Sequence, residues 1–446
     1  MTNGTRDSRA DWHAERTAAN RKATGSSAGS GPTDDKDHPP AGKSPRAGLI
    51  VMAAAAGIAV ANVYLCQPLL AAIAADFALD ADRAGWVASA SQAGYAIGIL
   101  LIVPLADRAG ARRLLRTLLV AACLALLGAA ASPAIGWLVA AAFAVSLASV
   151  VPQVLVPLAV AAGATGTGVA AGAGRIVATM QTGIILGILL SRTVSGSVAQ
   201  WSGSWRASFL VAATLNAALL FILPRFLPSQ QPATGARMPY PQLIASLPGL
   251  LVRWPGLRLS AALGATVFGA FSAFWATLAF HLAQPPFGFG PAQAGLFGLW
   301  GLAGAMLAPQ AGKLADRYGA GAINALGIVA AALGFALFIT GGQVSVLALV
   351  IGVNLLDFGN QAGQIANQAR IFKLDPAARA RLNTVYMVLT FTGGAAGTLF
   401  GVMAWRGAGW TGVGATGLVL LALAFAIVGA GLWHERRDKR RGGAPG

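Results

Sequence analysis

Charged side chains are scarce in this sequence. They make up 11% of its 446 residues, whereas about a quarter of the residues in an average soluble protein are charged. The mean hydropathy is +0.65, and many apolar runs approach or exceed the roughly 20 residues that cross a bilayer as a helix. The scarcity of charge argues against a soluble protein, and the long runs predict an all-α polytopic membrane protein.

Cysteine and histidine are also rare. The two cysteines, Cys66 and Cys123, both fall in apolar runs, and the four histidines are scattered along the chain. Because the sequence has neither a disulfide framework nor a metal-ligand spacing, we expect no metal centre and no cofactor. The phosphate-binding loop G-x-x-x-x-G-K-[ST] is absent too, which argues against ATP-driven activity from this chain.

Only one of the fifteen acidic residues, Asp357, falls inside an apolar run. A carboxylate in a membrane is costly unless it faces water, a partner or a substrate, so it indicates a functional site by default. Gln361, Gln364 and Gln368 follow it at helical spacing and form one polar stripe. The stripe could line a polar cavity or hydrogen-bond to neighbouring helices, and Asp357 is the candidate for proton coupling.

The apolar runs predict twelve transmembrane helices. A polar segment, 1–46, precedes them and is predicted to be a disordered cytoplasmic tail. Six helices are assigned to 47–227, a cytoplasmic central loop to 228–256, six more helices to 257–432 and a basic cytoplasmic tail to 433–446. The predicted spans are about 48–74, 85–106, 114–132, 136–160, 175–199, 205–227, 257–283, 292–312, 321–341, 344–369, 382–405 and 411–432.

The central loop has a pattern of its own. Leucines recur within it at helical spacing, and they could form a short helix at the membrane interface. These leucines are Leu243, Leu247, Leu250 and Leu251.

Basic residues predict the orientation of the chain. Of the 32 lysines and arginines, Arg83, Arg206 and Arg406 fall on one side of the membrane, Arg192 falls inside a span, and the others fall in the tails and loops of the opposite side. Positive charge concentrates in cytoplasmic loops, so both termini are predicted to be cytoplasmic. The net charge of +17 follows these loops rather than a groove for phosphates, and no nucleic-acid partner is expected.

A repeated loop supports the division into two halves. The sequence LADRAGA at 105–111 recurs as LADRYGA at 314–320, which is 209 residues later. The same shift superimposes the first predicted span on the seventh. Parallel repeats of this kind occur in membrane carriers.

With its twelve spans and its two groups of six, the sequence resembles the major facilitator superfamily. The family's loop pattern is G-x-L-A-D-[RK]-x-G-[RK]-[RK], and the chain departs from it at Val103, Ala111, Ala320 and Gly321. The resemblance implies two six-helix bundles. It also implies a gating loop whose aspartates hold neighbouring helices together. The alternative for these loops is that they act as a topology signal and form a solvated ion pair. The matching residues are Asp107, Arg108, Gly110, Gly312, Asp316, Arg317 and Gly319.

Other stretches resemble a bacterial branch of efflux permeases within this family. They include ANVYLCQPLL at 61–70, SVVPQVLVPLA at 149–159 and GILLSRTVSG at 187–196. The resemblance covers nearly the whole membrane region and neither tail. It implies a location in the bacterial inner membrane.

Polar residues inside the spans are candidates for lining a substrate cavity. Those in the first span precede Pro68, where a kink is predicted. Arg192 could snorkel to the outer interface, or it could point inward to bind an anion or pair with an acid. For the other residues the alternative is hydrogen bonding between helices. The candidates are Asn62, Tyr64, Gln67, Gln153, Arg192, Gln361 and Gln364.

Aromatic residues and a histidine of the seventh span have a structural interpretation. His281, at the end of that span, is expected to be an interfacial residue rather than a proton relay. Phe271, Phe274 and Trp275 could stack on a substrate, but their helical spacing favours packing.

These patterns predict a secondary active transporter that exports a small organic compound against proton entry by alternating access. The expected partners are a small-molecule substrate, protons and the lipid bilayer, and the expected state is a monomer. The alternatives are a proton-coupled importer of a small metabolite and a non-transporting receptor or scaffold. An enzyme is not expected, because an intramembrane active site would need clustered acids or histidines.

Overall fold

The computed structural model describes residues 45–106, 110–164, 173–227, 239–375 and 378–442. These residues form fifteen α-helices and three short 3-10 helices, and they contain no β-strand. A helix satisfies its backbone hydrogen bonds internally, which the apolar interior of a bilayer requires. The predicted all-α class is therefore confirmed.

The described residues of the first half form eight helices. Three 3-10 turns, Gln67–Leu69, Val103–Leu105 and Leu223–Arg225, interrupt or end them, and each turn contains a proline. The turn at Pro68 divides the first predicted span, so the predicted kink is confirmed. The helices are α1 (Pro45–Tyr64), α2 (Leu70–Asp76), α3 (Ala81–Leu101), α4 (Ala111–Ala130), α5 (Ile135–Ala148), α6 (Val151–Ala164), α7 (Ala173–Ser202) and α8 (Trp205–Ile222).

Seven helices are formed by the part of the second half that the structure describes. The last of them has non-helical backbone angles at Ala408 and Gly409, so it consists of two helical segments joined by a kink. The helices are α9 (Tyr240–Arg253), α10 (Pro255–Ala283), α11 (Pro291–Trp300), α12 (Leu302–Tyr318), α13 (Ala320–Thr340), α14 (Val346–Phe372) and α15 (Arg379–Gly442).

Ten described stretches are long and apolar enough to cross a membrane. Two features account for the difference from the twelve predicted spans. The predicted eighth span is broken at Gly301 into α11 and α12, each of which is short. The predicted eleventh and twelfth spans form one stretch, Arg379–Trp433, which contains 55 residues. The count of twelve crossings, and the domain limits drawn from it, stay predictions.

The repeated loop has the same backbone conformation in both halves at its closing glycine. Gly110 has a φ of 74° and Gly319 a φ of 86°, and each precedes the first residue of a helix. Only glycine adopts this region without strain, which explains the glycine in both copies. Asp107 and Arg108 lie outside the described residues. Gly312 and Asp316 belong to α12, but their side-chain surroundings lie outside the described part of the structure as well.

Glycines let helices cross closely within each half. On α1 and α7, Gly57 and Gly187 face each other so tightly that a methyl group on either would meet the backbone of the other helix. Gly393 on α15 makes the equivalent approach to the backbone of Ala265 on α10. Small residues at four-residue spacing permit this packing in membranes, where no hydrophobic force drives helices together.

The central connection contains a helix, as the leucine spacing predicts. Leu247 and Leu250 of α9 are buried, so one face of this helix packs against the remainder of the protein. The Tyr240 hydroxyl donates to the carbonyl of Leu101, 2.7 Å away, and Arg381 donates to the Ser246 hydroxyl at 3.4 Å. The helix thereby contacts both halves of the chain.

Gly187→Leu should destabilise the protein by at least about 1–3 kcal/mol, because the side chain would force α1 and α7 apart. The measurement is the yield of monodisperse protein after detergent extraction, together with its melting temperature. Gly429→Leu is the matched control, because no heavy atom lies within 4 Å of a side chain built there. An equal loss of yield and of melting temperature in both variants would show that the stability of the protein does not depend on the close α1–α7 crossing.

Candidate functional site

The two halves of the chain meet along two helix pairs, α3 with α15 and α7 with α11. Ser89 on α3 donates to the carbonyl of Ala395 at 3.0 Å, and Thr193 on α7 donates to the carbonyl of Gly295 at 3.0 Å. Arg406 on α15 and Asp82 on α3 add an ion pair of 2.9 Å. These contacts define the boundary between the halves, and two buried charges lie beside it.

The first buried charge is Arg192 on α7, whose residue surface is only 1% exposed. Its Nε donates to Gln67 Oε1 at 2.8 Å, and its guanidinium carbon lies 3.7 Å from the centre of the Trp275 ring. Of the two orientations that the sequence leaves open, the structure has the inward one. The side chain spans the boundary, because Gln67 belongs to the first half and Trp275 to α10 of the second.

Two further aromatic rings surround the guanidinium. Its central carbon lies 5.2 Å from the ring centre of Tyr64 and 5.8 Å from that of Phe271. A cation is attracted to the negative face of an aromatic ring, and more strongly when both are desolvated. These rings therefore help to offset the cost of burying Arg192. Trp275 and Phe271 do pack, as their spacing suggests, but they pack against a charge.

The second buried charge is Asp357 on α14, which is 4% exposed. Its Oδ2 lies against Gly301, the residue that breaks the helix between α11 and α12, and a methyl group at position 301 would overlap this oxygen. Asp357 interacts electrostatically with Arg192 and faces the indole N–H of Trp275. Among the described residues, however, no ion pair within 4.0 Å joins Asp357 to Arg192.

Three polar atoms of this cluster have no hydrogen-bond partner in the described part of the chain. They are Arg192 Nη2, Trp275 Nε1 and Asp357 Oδ2, and all three are buried. Buried polar groups in folded proteins are nearly always satisfied, so each exception needs a reason. A small void of about 10 Å³, room for about one water molecule, adjoins the cluster and is lined in part by Gln67, Arg192 and Trp275. Two unsatisfied donors therefore lie beside a water-sized space that Asp357 does not line.

The polar stripe on α14 largely hydrogen-bonds to neighbouring helices. Asn367 exchanges hydrogen bonds of 3.1 Å with Asn324, Gln368 donates to Asn383 at 3.3 Å, and Gln364 lies 4.0 Å from the sulfur of Met387. Gln364 also lines a second small void, of about 10 Å³, beside α10, α13 and α15. Gln361 is half-buried and does not line either of these two voids.

The remaining candidates lie away from the charged cluster. The Asn62 amide donates to Ser149 at 3.1 Å and to Asn216 at 3.3 Å, which is the helix-joining role. Gln153 is hydrogen-bonded to the phenol of Tyr95. Arg317 is exposed beside the ring of Tyr318 at the end of α12. Their roles as cavity or gating residues stay predictions.

Sequence reasoning missed the partners of the two charges. Gly301 carries no signal in the sequence beyond being one of 57 glycines, yet it makes room for Asp357. His281, in the last turn of α10, is buried, with its ring stacked 4.0 Å from that of Trp410 and its Nε2 2.8 Å from the carbonyl of Gly342. The residues that the structure describes contain no group of three or more metal-ligating side chains.

A helical membrane protein built from two related halves, with opposite charges buried beside their boundary, belongs to the class of membrane carriers. Comparison with known proteins identifies the family. The model of the Major Facilitator Superfamily matches residues 52–398, and the chain belongs to this superfamily. It is therefore a membrane transporter.

Relatives of similar length support the assignment. The chain is 39% identical over 365 residues to "Uncharacterized transporter YgaY" of Escherichia coli O157:H7, a match that covers 82% of this chain and 90% of that protein. It is 38% identical over 374 residues to "Probable transporter SCO4007" of Streptomyces coelicolor, with 82% and 85% covered.

Solved structures share the fold at low sequence identity. A mutant of the nucleoside transporter NupG matches with a TM-score of 0.71 at 14% identity, covering 86% of this chain and 98% of that one. A bacterial homologue of the human lysosomal transporter Spinster, in an inward-facing and unoccupied conformation, matches with a TM-score of 0.65 at 13% identity, covering 86% and 96%. At such identities the likeness concerns the fold.

Gln67→Leu should lower the stability of the protein by about 1.5–3 kcal/mol, because it leaves the charged Nε–H of Arg192 without an acceptor. The measurement is thermal unfolding of the purified protein in detergent. Gln343→Leu is the control, because that exposed side chain lies in the turn after α13 and donates to the carbonyl of Ile339. A melting temperature that falls no further in Gln67→Leu than in the control would contradict the role of Gln67.

Proposed function

We propose that this protein is a proton-coupled secondary transporter that moves a small organic compound by alternating access. The observation that carries the proposal is the position of Asp357, a carboxyl group buried beside the boundary between the halves and facing Arg192 across it. An ion-coupled carrier needs a group whose charge changes inside the pathway. Asp357 is the one acidic residue that the sequence places within a span.

The cross-boundary arrangement supports coupling between charge and movement. Arg192 belongs to the first half and Asp357 to the second, so rocking of one half against the other changes their separation. Their attraction in a low-dielectric interior depends steeply on that separation. Protonation of Asp357 removes the attraction and leaves Arg192 without its counter-charge, which shifts the balance between arrangements of the halves.

Export in exchange for protons is the proposed direction, and it rests on the resemblance to bacterial efflux permeases. A second candidate, uptake together with protons, has an observation of its own. A buried cation, Arg192, that faces a protonatable acid, Asp357, across the boundary suits an anionic compound that binds along with a proton. The experiment imposes a substrate gradient on proteoliposomes and measures the direction in which protons move. Protons that move opposite to the substrate indicate exchange, and protons that move with it indicate co-transport.

We further propose a multi-pass protein of the bacterial inner membrane that acts as a monomer, with both termini in the cytoplasm. The support is the concentration of basic residues in alternate loops. A reporter enzyme that is active only outside the cytoplasm, fused after Gly446, should be inactive. The same reporter inserted after Gly203, in the predicted outer loop between α7 and α8, should be active. Activity of the C-terminal fusion would reverse the orientation.

A non-transporting receptor or scaffold is the functional alternative. It gives no reason for an ionisable pair beside the boundary, whereas a carrier does. The discriminating observation is compound accumulation or tolerance in cells that overexpress the protein, measured against a panel of toxic compounds and metabolites. The compound whose distribution changes is then the substrate for measurements in proteoliposomes.

Asp357→Asn should abolish flux driven by a proton gradient and retain exchange of substrate across the membrane. The amide keeps the size of the side chain but cannot gain or lose a proton as the carboxyl group does. The measurement is gradient-driven flux against equilibrium exchange in proteoliposomes. Asp76→Asn is the control, because Asp76 forms an exposed pair with Arg206 at 2.6 Å. Full gradient-driven flux in Asp357→Asn would remove Asp357 from the coupling mechanism.

A further inference from the structure

We propose that Gln200 and the ion pair of Asp82 with Arg406 form a two-point polar lock, which holds the halves together at one end of their boundary and opens during transport. The inference rests on the proposed alternating access and assigns residues that control it. It depends neither on the identity of the substrate nor on the ion that drives transport.

The first point of the lock joins α3 to α15. Arg406 Nη1 lies 2.9 Å from Asp82 Oδ2, and the two residues belong to different halves. Asp82 lies in the first turn of α3, where the partial positive charge of the helix terminus also favours a carboxylate. The arginine side chain is 68% exposed and the aspartate side chain 22% exposed. Water can therefore solvate both charges when they separate, so the pair can break and form again.

The second point joins α7 to α11. The Oε1 atom of Gln200, near the end of α7, accepts a hydrogen bond from the backbone N–H of Ala292 at 3.0 Å. The N-cap residue of α11 is Gly290, which has no side chain to accept from the first N–H groups of the helix. Gln200 supplies this acceptor from the other half. A methyl group at position 290 would crowd the same oxygen, so the glycine leaves room for it.

Both points lie at the same end of the first half. The start of α3 follows α2 in the chain, and the start of α8 follows α7. An ion pair of 2.6 Å joins these two connections, from Asp76 at the end of α2 to Arg206 at the start of α8. The start of α3 and the end of α7 therefore lie at one end of the boundary, which is the end that the charge pattern predicts to face outward.

Tight packing lies next to both points. One turn further along α3, a methyl group on Gly85 would overlap the side chain of Val402 on α15. One turn back along α7 from Gln200, a methyl group on Gly196 would overlap the backbone of Pro291. Surfaces that interlock this closely exclude water while the lock is shut, and Val402 is accordingly only 1% exposed. Opening at this end would bring Val402 into contact with water.

The lock is connected to the buried charges through α7. Arg192 lies about two helical turns before Gln200, which is about 12 Å along the helix axis. Next to Arg192, the hydroxyl of Thr193 donates to the carbonyl of Gly295 on α11. A methyl group on Gly295 would overlap the backbone of Arg192. Separation of α11 from α7 at the lock therefore also loosens the contact between α11 and the backbone that holds Arg192.

The experiment measures opening at this end with a thiol reporter. The full-length protein carries Val402→Cys, while Cys66→Ala and Cys123→Ala remove the two native thiols, and it is placed in lipid nanodiscs. The probe is a methanethiosulfonate reagent with a trimethylammonium group, which reacts with a thiol in contact with water. With the lock intact, labelling should be slow, because position 402 is buried.

Asp82→Asn and Gln200→Leu should each raise the labelling rate roughly 2- to 5-fold, because each removes one exposed polar contact from the closed arrangement. Together they should raise it on the order of 10-fold, since the two contacts are separate and their effects multiply. Two replacements should restore slow labelling. Asp82→Arg/Arg406→Asp exchanges the charges of the pair and should label more slowly than Asp82→Asn. Gln200→Glu keeps an acceptor at the helix N-terminus and should label more slowly than Gln200→Leu.

Asp76→Asn is the matched control, because it breaks an ion pair at the same end that joins two segments of the first half. A second reporter, Leu126→Cys, is buried on α4, which packs against α5 and α8 of the same half. Its slow labelling should not change when the lock is removed. Labelling of Val402→Cys that rises no more in the lock variants than in Asp76→Asn would overturn the proposal. Equal acceleration at both reporters would also overturn it, because that result indicates general loosening of the protein.

The labelling result is separate from the test of proton coupling. Gradient-driven flux that survives in Asp357→Asn would refute coupling at Asp357, and the labelling rates would still show whether the boundary opens at the lock. Labelling that ignores Asp82 and Gln200 would instead refute the lock and leave the role of Asp357 untouched.

Discussion

The architecture of this transporter depends on one electrostatic constraint, which is that two opposite charges are buried in an apolar interior without touching. Burying either charge alone would cost on the order of several kcal/mol, a large share of the stability of a folded protein. Each is therefore supported separately. Gln67 and three aromatic rings hold Arg192, while the break at Gly301 accommodates Asp357. Three buried polar atoms beside the boundary, one each on Arg192, Trp275 and Asp357, still have no hydrogen-bond partner among the described residues.

The local sequence explains how such a site is built. Proline ends α1 just where Gln67 must turn toward α7, and glycine breaks the eighth predicted span just where Asp357 needs room. In both places a regular helix would have filled the space with backbone or with a side chain. Irregular backbone is tolerated inside a membrane only where it is enclosed by protein or lines a cavity, and both breaks are enclosed.

Much of this fold could be predicted from the sequence, and less of the site could. Long apolar runs and the LADR repeat predict helices and two halves, because membrane helices need length and hydrophobicity more than particular partners. Asp357 is conspicuous in the sequence because it is an acid in an apolar run. The direction of the Arg192 side chain cannot be read from the sequence. Its distance from the membrane surface permits both an orientation toward the outer interface and an inward one, and only the rotation of α7 decides between them. The spacing of Trp275 indicates packing but does not reveal what the ring packs against.

The distribution of close contacts bears on how the halves could move. Within each half, glycine crossings such as that of Gly57 with Gly187 bring backbones together, and rigid contacts of this kind favour movement of a half as one body. Between the halves, Gly196 and Gly295 bring the backbones of α7 and α11 together just as closely, and the hydrogen bonds of Ser89 and Thr193 to single carbonyls add to the contact. Arg192 and Asp357 lie on opposite sides of that boundary. On the proposed mechanism, a change in the charge of Asp357 therefore acts at the contact that has to rearrange when the halves move.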